Sequence, residues 1–227
     1  MNLKQQAAQC ALEYVQSGMR VGLGSGSTAS IFIDLLGAKL QRGELHGIRA
    51  VATSLASERL AQSLGISLHT LADLGQLDIA VDGADEVDPA LDLIKGLGRA
   101  ALREKIIESH ADQLIIIVDE AKLTPRLGRG PLPVEIIPFE APVQVRWLAS
   151  LGCRAELWRE ADGQAVVTDN GNYLVRCWFE AGIADAWALA RQLADRPGVV
   201  EHGLFLGMAD RVVVAGESGL KILERQL

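Results

Sequence analysis

The sequence predicts an α/β protein: a mostly parallel sheet flanked by helices, carrying a smaller inserted α+β domain. Three observations predict it. Short runs that are apolar throughout alternate with segments of helical period over the first 120 or so residues, as expected of strands covered on both faces. A stretch dense in Gly and Pro, residues 128–142, then punctuates the chain, and the grammar changes behind it. Only 4% of residues are aromatic although 49% are hydrophobic, so the apolar content is mostly Ala, Leu, Val and Ile, which suits helices packed on a buried sheet.

The elements follow in order. Ala7, Ala8, Ala11, Leu12 and Val15 recur at helical spacing and Gly18 stops them. Residues 19–23 form an apolar strand that enters a Gly/Ser loop, and a helix follows through Ile31, Leu35, Leu36 and Leu40. Residues 48–52 read as the next strand, ending at Thr53 and Ser54, with a helix through Leu60 and Leu64. Residues 66–68 read as a short strand and 77–81 as another that ends on Asp82. A helix over about 99–108 precedes 114–118, a β-branched run that ends on Asp119. This alternation describes a Rossmann-like sheet.

Beyond the punctuation come a strand at 134–137, a helix at 143–151, strands at 154–158, 166–168 and 173–178, a helix at 184–193 and a strand at 199–205. Asp169-Asn170-Gly171-Asn172 is a hairpin signal, because Asn-Gly tolerates φ > 0 at both central positions. The order β-α-β-β-α-β matches a ferredoxin-like module. A last strand at 211–215 and a helix at 220–227 return to the first domain. The expected division is therefore a catalytic α/β domain of residues 1–127 and 206–227 around an insert of residues 128–205.

Composition excludes several classes. A net charge of −7 disfavours nucleic-acid binding, which calls for a basic patch or stripe. No stretch approaches the ~18 uninterrupted apolar residues of a membrane span, and no apolar run stands behind a basic N-terminal start, so neither a membrane partner nor a signal peptide is expected. The three cysteines, Cys10, Cys153 and Cys177, are odd in number and lack a C-x-x-C spacing, so a reducing cytoplasm is the simplest compartment.

Three loops carry the candidate chemistry. In the first, Gly22, Gly24, Ser25, Gly26, Ser27 and Thr28 lie between a strand and a helix, where small residues let backbone amides approach an anion and the helix dipole favours it. No lysine precedes the Ser/Thr, so this is no P-loop. The third glycine of a dinucleotide fingerprint counted from Gly22 would fall on Ser27, and Thr53-Ser54 stand where an acidic ribose reader belongs. A tight turn with a helix cap is the plain alternative. In the second, Asp82, Asp85, Glu86 and Asp88 repel one another beyond the carboxyl end of a strand, where ligands of open α/β sheets sit. A hard-metal site rivals proton handling there, but the EF-hand pattern is absent. In the third, Lys95 at the mouth of a Gly loop can balance a phosphate or an oxyanion. Glu104 borders the apolar stripe of the following helix, and its spacing alone favours an exposed carboxylate paired with Arg103 or Lys105. His46, His69, His110 and His202 show no triad or metal spacing, and the four tryptophans all fall in the insert, where they read as core.

Taken together these motifs resemble the type A ribose-5-phosphate isomerase family. The matching blocks are Gly24-Ser25-Gly26-Ser27-Thr28-Ala29, Asp82-Gly83-Ala84-Asp85-Glu86, Lys95-Gly96 with Arg103-Glu104-Lys105-Ile106-Ile107, Val118-Asp119-Glu120-Ala121-Lys122 and Pro131-Leu132-Pro133-Val134-Glu135. Val167-Thr168-Asp169-Asn170-Gly171-Asn172 and Pro197-Gly198-Val199-Val200 fit as well, so the blocks run in order over nearly the whole chain. The resemblance implies reversible conversion of ribose 5-phosphate to ribulose 5-phosphate, without cofactor or metal, in a homodimer or homotetramer. It implies Glu104 as the base that moves a proton between C1 and C2 through an enediolate. Asp82 and Asp85 would serve ring opening and hydroxyl contacts, and Lys95 with loop amides the oxyanion. Ser25, Gly26, Ser27 and Thr28 would hold the phosphate end with Lys122 and Lys4. Gly83, Ala84, Gly96, Leu97 and Gly98 would complete the substrate contacts. The chain departs from the family's glycine run at Leu97 and Arg99, and a leucine at φ > 0 would be an outlier, so the loop must take ordinary φ there or carry strain.

Two competing functions remain at this stage. The altered loop suits a non-catalytic sugar-phosphate sensor, although every expected charged catalytic residue is present. A nicotinamide-dependent oxidoreductase lacks its third glycine and its acidic ribose reader.

Overall fold

In the computed structural model, which describes residues 2–225, the chain divides into two units. The first comprises residues 1–84, 103–122 and 207–227, and the second residues 85–102 and 123–206. The segment 85–102 thus belongs with the second unit.

The first unit is built on a six-stranded sheet. Its strands are β1 (Arg20–Leu23), β2 (Arg49–Ala52), β3 (Ile79–Asp82), β6 (Leu114–Asp119), β12 (Arg211–Gly216) and β13 (Gly219–Glu224), in the order β13-β12-β6-β3-β1-β2. All neighbours are parallel except the β12–β13 hairpin. Helices α1 (Leu3–Leu12), α2 (Gly26–Gln41), α3 (Leu55–Ser63), the single turn α4 (Leu71–Leu74) and α5 (Ala101–Glu108) complete it, the last beginning two residues inside the second unit.

Strand period 2 sorts the core. Val21 and Leu23, Ile79 and Val81, and Ile115 and Ile117 point into one cluster with Ala7, Ala8 and Ala11 of α1 and Phe32, Ile33 and Leu36 of α2. The residues between them face the other way, where Ile107 of α5 meets Val51 and Leu77. On that face a Cβ at Gly22 would stand 2.9 Å from the Cβ of Ala80 and 3.2 Å from Cγ2 of Ile107. The Gly22–Ala80 pair therefore lets α5 lie close against the sheet, and α5 is the helix that carries Glu104.

In the second unit β7 (Leu132–Ile136), α6 (Ala141–Ala149), β8 (Arg154–Leu157), β9 (Tyr173–Trp178), α7 (Ala186–Ala194) and β10 (Val199–His202) follow one another. Their sheet has the order β10-β7-β9-β8 and is antiparallel throughout, which is the ferredoxin-like arrangement. Leu132, Val134, Ile136, Val175 and Cys177 pack with Leu148 of α6 and Leu189 and Leu193 of α7. A small antiparallel sheet of β4 (Glu86–Val87), β5 (Leu93–Ile94) and β11 (Leu204–Phe205) also belongs to this unit.

The fold class agrees with the sequence, and several elements differ. The tail is a strand, not a helix: residues 219–224 pair with all six residues of β12 across the turn at Gly219, φ 109°. Leu220 and Leu223 at i, i+3 suit a helix and Leu220 and Ile222 at i, i+2 a strand, and the open edge of β12 decides it; Gln226 and Leu227 lie outside the described residues. Residues 66–68 make only an isolated bridge, Leu68 to Ala50. The run 199–205 breaks at Gly203 into β10 and β11, which join different sheets, and a Cβ at Gly203 would overlap the Lys95 carbonyl. In the hairpin only Gly171 has positive φ, 79°. Thr168 N–H donates to the Asn172 carbonyl, and Glu135, buried at 1% exposure, accepts from Thr168, Asn170 and Asn172. A buried carboxylate, rather than an Asn at φ > 0, fixes this turn.

Candidate active site

The strand order of the first unit reverses at β1, with β2 on one side and β3 on the other, so the crevice beyond the carboxyl ends of β1 and β3 is a topological switch point. The chain is drawn tight there. Gly24 N–H donates to the Val81 carbonyl at 3.0 Å, and any Cβ on Gly24 would overlap the Asp82 carboxyl. Asp82, 1% exposed, accepts at Oδ1 from Ser25 N–H at 2.9 Å and from Gly83 N–H at 2.6 Å. One carboxylate thus orients both loops.

Ser25 is the N-cap residue of α2, yet its side chain does not cap the helix. Its hydroxyl instead lies 2.7 Å from those of Thr53 and Ser54 and 3.3 Å from Ser57, while Ser57 donates to the Gly24 carbonyl at 2.6 Å. The first-turn amides of α2 keep their orientation toward the loop mouth, and Gly26, with φ 87°, has open space where a side chain would project. Lys4, from α1, donates to Ser27 Oγ at 2.7 Å, which brings an ammonium to this turn. Lys122 closes a single 3-10 turn, Glu120–Lys122, just beyond β6. Amides, hydroxyls and ammonium make a cradle for an oxyanion such as phosphate.

Glu104 stands on α5, and its position corrects the exposed carboxylate that its spacing favours. It is 3% exposed, as is Glu108, one turn further along the same face. Asp82, Glu104 and Glu108 each offer a carboxylate oxygen, and these atoms lie within 4.8 Å of one another. Like charges at that separation in a buried place repel one another. Three carboxylates are also a donor set for a hard divalent ion. The sequence signal for Glu108 was present: residues 100, 101, 104, 107 and 108 form one buried helix face, and two of its five members are glutamates.

In the second unit, Asp85 N–H donates to the Ile94 carbonyl, and Asp85 Oδ2 accepts from Leu97 N–H at 3.0 Å. The Leu97 amide is therefore committed to a carboxylate. Lys95 is 2% exposed, donates its N–H to the Gly203 carbonyl, and holds Nζ 5.3 Å from the Phe205 ring centre. Gly96, φ 101°, takes the left-handed turn, where a Cβ would stand 2.8 Å from that of Ala101; Gly98 has open space around it. Leu97 takes ordinary φ, and the strained residue is Arg99 at φ 70°. A bidentate pair to Glu160, at 2.5 and 3.2 Å, and the face of Trp158 at 5.2 Å hold Arg99 there.

The acidic loop divides by role. Glu86 is a buried structural acceptor for Gly128, Arg129 and Gly130, and Asp88 caps its own turn by accepting from Ala90 and Asp92. In the first unit the structure brings together Lys4, Ser25, Gly26, Ser27, Thr28, Asp82, Gly83 and Glu104; Ala84 follows Gly83 directly, and Lys122 ends its own turn. Asp85, Lys95, Gly96, Leu97 and Gly98 belong to the other unit.

A parallel sheet with an anion cradle and buried carboxylates at its switch point is the build of an α/β enzyme that handles a small anionic substrate. The sequence model of ribose 5-phosphate isomerase A (phosphoriboisomerase A) matches residues 49–219. The chain is 48% identical to ribose-5-phosphate isomerase A of Roseiflexus castenholzii, covering 97% of this chain and 94% of that protein. It is 44% identical to a probable chloroplastic ribose-5-phosphate isomerase 3 of Arabidopsis thaliana, over 99% of this chain and 83% of the relative. A solved D-ribose-5-phosphate isomerase in complex with phospho-erythronic acid superposes with a TM-score of 0.96 at 42% identity, covering 99% and 100% of the two chains. The enzyme of Methanocaldococcus jannaschii gives 0.92 at 40%, covering 98% of each. The chain belongs to the ribose 5-phosphate isomerase A family.

Proposed function

We propose that this chain interconverts D-ribose 5-phosphate and D-ribulose 5-phosphate by proton transfer through an enediolate, a step of the non-oxidative pentose phosphate pathway. One observation carries the reading. The Asp82 carboxyl that fixes the Ser25 amide at the phosphate cradle lies beside the buried carboxylate of Glu104. A sugar phosphate anchored at Ser25, Gly26, Ser27 and Thr28, with Lys4 and Lys122, presents its reacting end at a set distance from its phosphate. Glu104 is the base between C1 and C2. Asp82 serves ring opening, with Gly83 and Ala84 in contact with substrate. We extend to Lys95 the stabilisation of the developing oxyanion and to Asp85 the hydroxyl contacts, with Gly96, Leu97 and Gly98 beside them. The matched charged residues, and relatives named as isomerases at high coverage, support an enzyme over a sensor on the same fold.

The test is proton exchange. In deuterated water, wild-type protein with ribose 5-phosphate should place deuterium on the carbon-bound position and form ketose. Glu104→Gln should lower kcat by about a hundredfold or more while binding persists. Near-full activity in that variant would remove Glu104 as the base.

We further propose a cytoplasmic homodimer or homotetramer. No helix among the described residues is long and apolar enough to cross a membrane. Leu220 and Ile222 on β13, and separately Phe139 and Trp187, are exposed apolar side chains available for self-association. Light scattering on the purified chain reads the assembly directly, and a monomeric mass at micromolar concentration would rule it out.

A further inference from the structure

The second unit contains a cavity of about 500 Å³ whose walls include Arg126, Arg129, Arg154, Trp178, Phe179 and Glu180. None of these belongs to the set assigned to the sugar phosphate. Three arginines, two from one loop and one from β8, line one space in a chain whose net charge is −7. Among the described residues Glu180 is the one carboxylate in the wall, and Arg154 also pairs with Glu156. The Arg126 guanidinium has no hydrogen bond or ion pair among the described residues.

The walls are held in place before any ligand arrives. Glu86, 3% exposed, accepts from the amides of Gly128, Arg129 and Gly130 at 2.8, 3.2 and 2.5 Å, so a buried carboxylate clamps the loop that carries two of the arginines. The facing turn is clasped to it. Ile183 N–H donates to the Leu127 carbonyl at 2.8 Å. A Cβ on Gly128, φ 93°, would stand 2.9 Å from Ile183 Cγ1, and one on Gly182, φ 74°, 3.0 Å from Arg126 Cδ. Arg154 lies in register opposite Trp178 across β8 and β9, with its guanidinium 3.9 Å from the ring centre. A merely solvated arginine surface needs none of this. Preorganised guanidinium forks match phosphate oxygens bidentately, and the adjoining Trp178 and Phe179 add aromatic surface, Trp178 with Arg154 already stacked on one face.

We propose that this cavity is a binding site for a nucleoside di- or triphosphate. Arg126, Arg129 and Arg154 take the phosphate chain, and Trp178 with Phe179 takes the base. The volume suits a ligand of that size, and the arginines outnumber the one wall carboxylate, Glu180, so the space favours an anionic phosphate chain.

The test is a titration of the intact protein with ATP and ADP at about 50 mM salt, in the presence of saturating ribose 5-phosphate. Calorimetry follows the binding, and tryptophan quenching reports Trp178. Saturable binding of one nucleotide per chain is expected. The double variant Arg126→Ala/Arg129→Ala should weaken it by about tenfold or more. Isomerase activity of that variant should stay unchanged, which shows that it is folded. Trp178→Phe should remove most of the quenching. Three results would overturn the proposal: no saturable binding by about 1 mM nucleotide with the sugar phosphate present, unchanged affinity in the arginine variant, or tripolyphosphate binding as tightly as ATP.

Discussion

Single residues decide what this chain can do, and the sharpest case is Glu104. Read as one carboxylate between Arg103 and Lys105, it belongs on the surface. Read as part of the face that also holds Ala101, Ile107 and Glu108, it is buried, because the helix period and not the local charge sets which way it points. Asp82 shows the converse. Its place at the end of an apolar strand was legible, but its hold on Ser25 and Gly83 depends on a close approach of two loops far apart in sequence. Asp82→Asn keeps one oxygen for those amides and removes the charge. It should therefore retain the fold, shift the melting temperature by no more than a few degrees (about 1 kcal/mol corresponds to ~2–4 °C at this size), and lower kcat about tenfold or more. Calorimetry with steady-state kinetics separates the two effects. A large loss of stability with kcat preserved would make Asp82 a structural group only.

At the scale of elements, what the sequence conceals is mostly backbone proximity. The turn from β1 into α2 reads as an anion loop from its Gly/Ser content, but which glycine is indispensable depends on what lies across from it. Gly26 projects into open space, whereas Gly24 faces the Asp82 carboxyl. Gly24→Ala should displace that carboxyl, raise KM and lower kcat together, and cost on the order of 1–3 kcal/mol in stability by overpacking. Gly26→Ala should act instead through its left-handed φ, about 1 kcal/mol. Denaturant unfolding and kinetics on the two variants compare them, and equal KM values would separate Gly24 from the substrate cradle. The strand at 219–224 was hidden for a related reason, since a free sheet edge is no property of the segment that fills it. The Lys95 loop is the opposite case. Its departure from glycine was visible at Leu97, and the strain settled two residues on, at Arg99, where Glu160 and Trp158 supply partners.

Over the whole molecule, periodicity and punctuation announced two apolar cores, and among the described residues each unit holds a large cluster, with a smaller one around Ile107, Val51 and Leu77 on the other face of the first sheet. Charge is less legible at this scale, because the formal value of −7 says nothing of where individual carboxylates are paired. Asp78 is the clearest pair. It accepts from the Arg20 amide at 2.7 Å and from the Arg20 guanidinium at 2.5 and 3.2 Å, which ties the start of β1 to the entry of β3. The side-chain hydrogen bond from Arg20, reinforced by the backbone bond and by the charges of Arg20 and Arg49, holds its carboxyl below the usual range; partial burial opposes this. A carboxyl whose folded-state pKa is depressed adds stability above its unfolded value, ~3.9, and loses it as pH falls through the folded value. Both side chains are partly solvated, so the contribution at neutral pH is on the order of 1 kcal/mol. Asp78→Asn should therefore melt about 2–4 °C below wild type at pH 7. The gap should narrow only as the pH drops below ~4 and should close once Asp78 is protonated in the folded state. Melting curves of both proteins from pH 7 downward test this, and a gap independent of pH would assign the loss to altered packing rather than to charge.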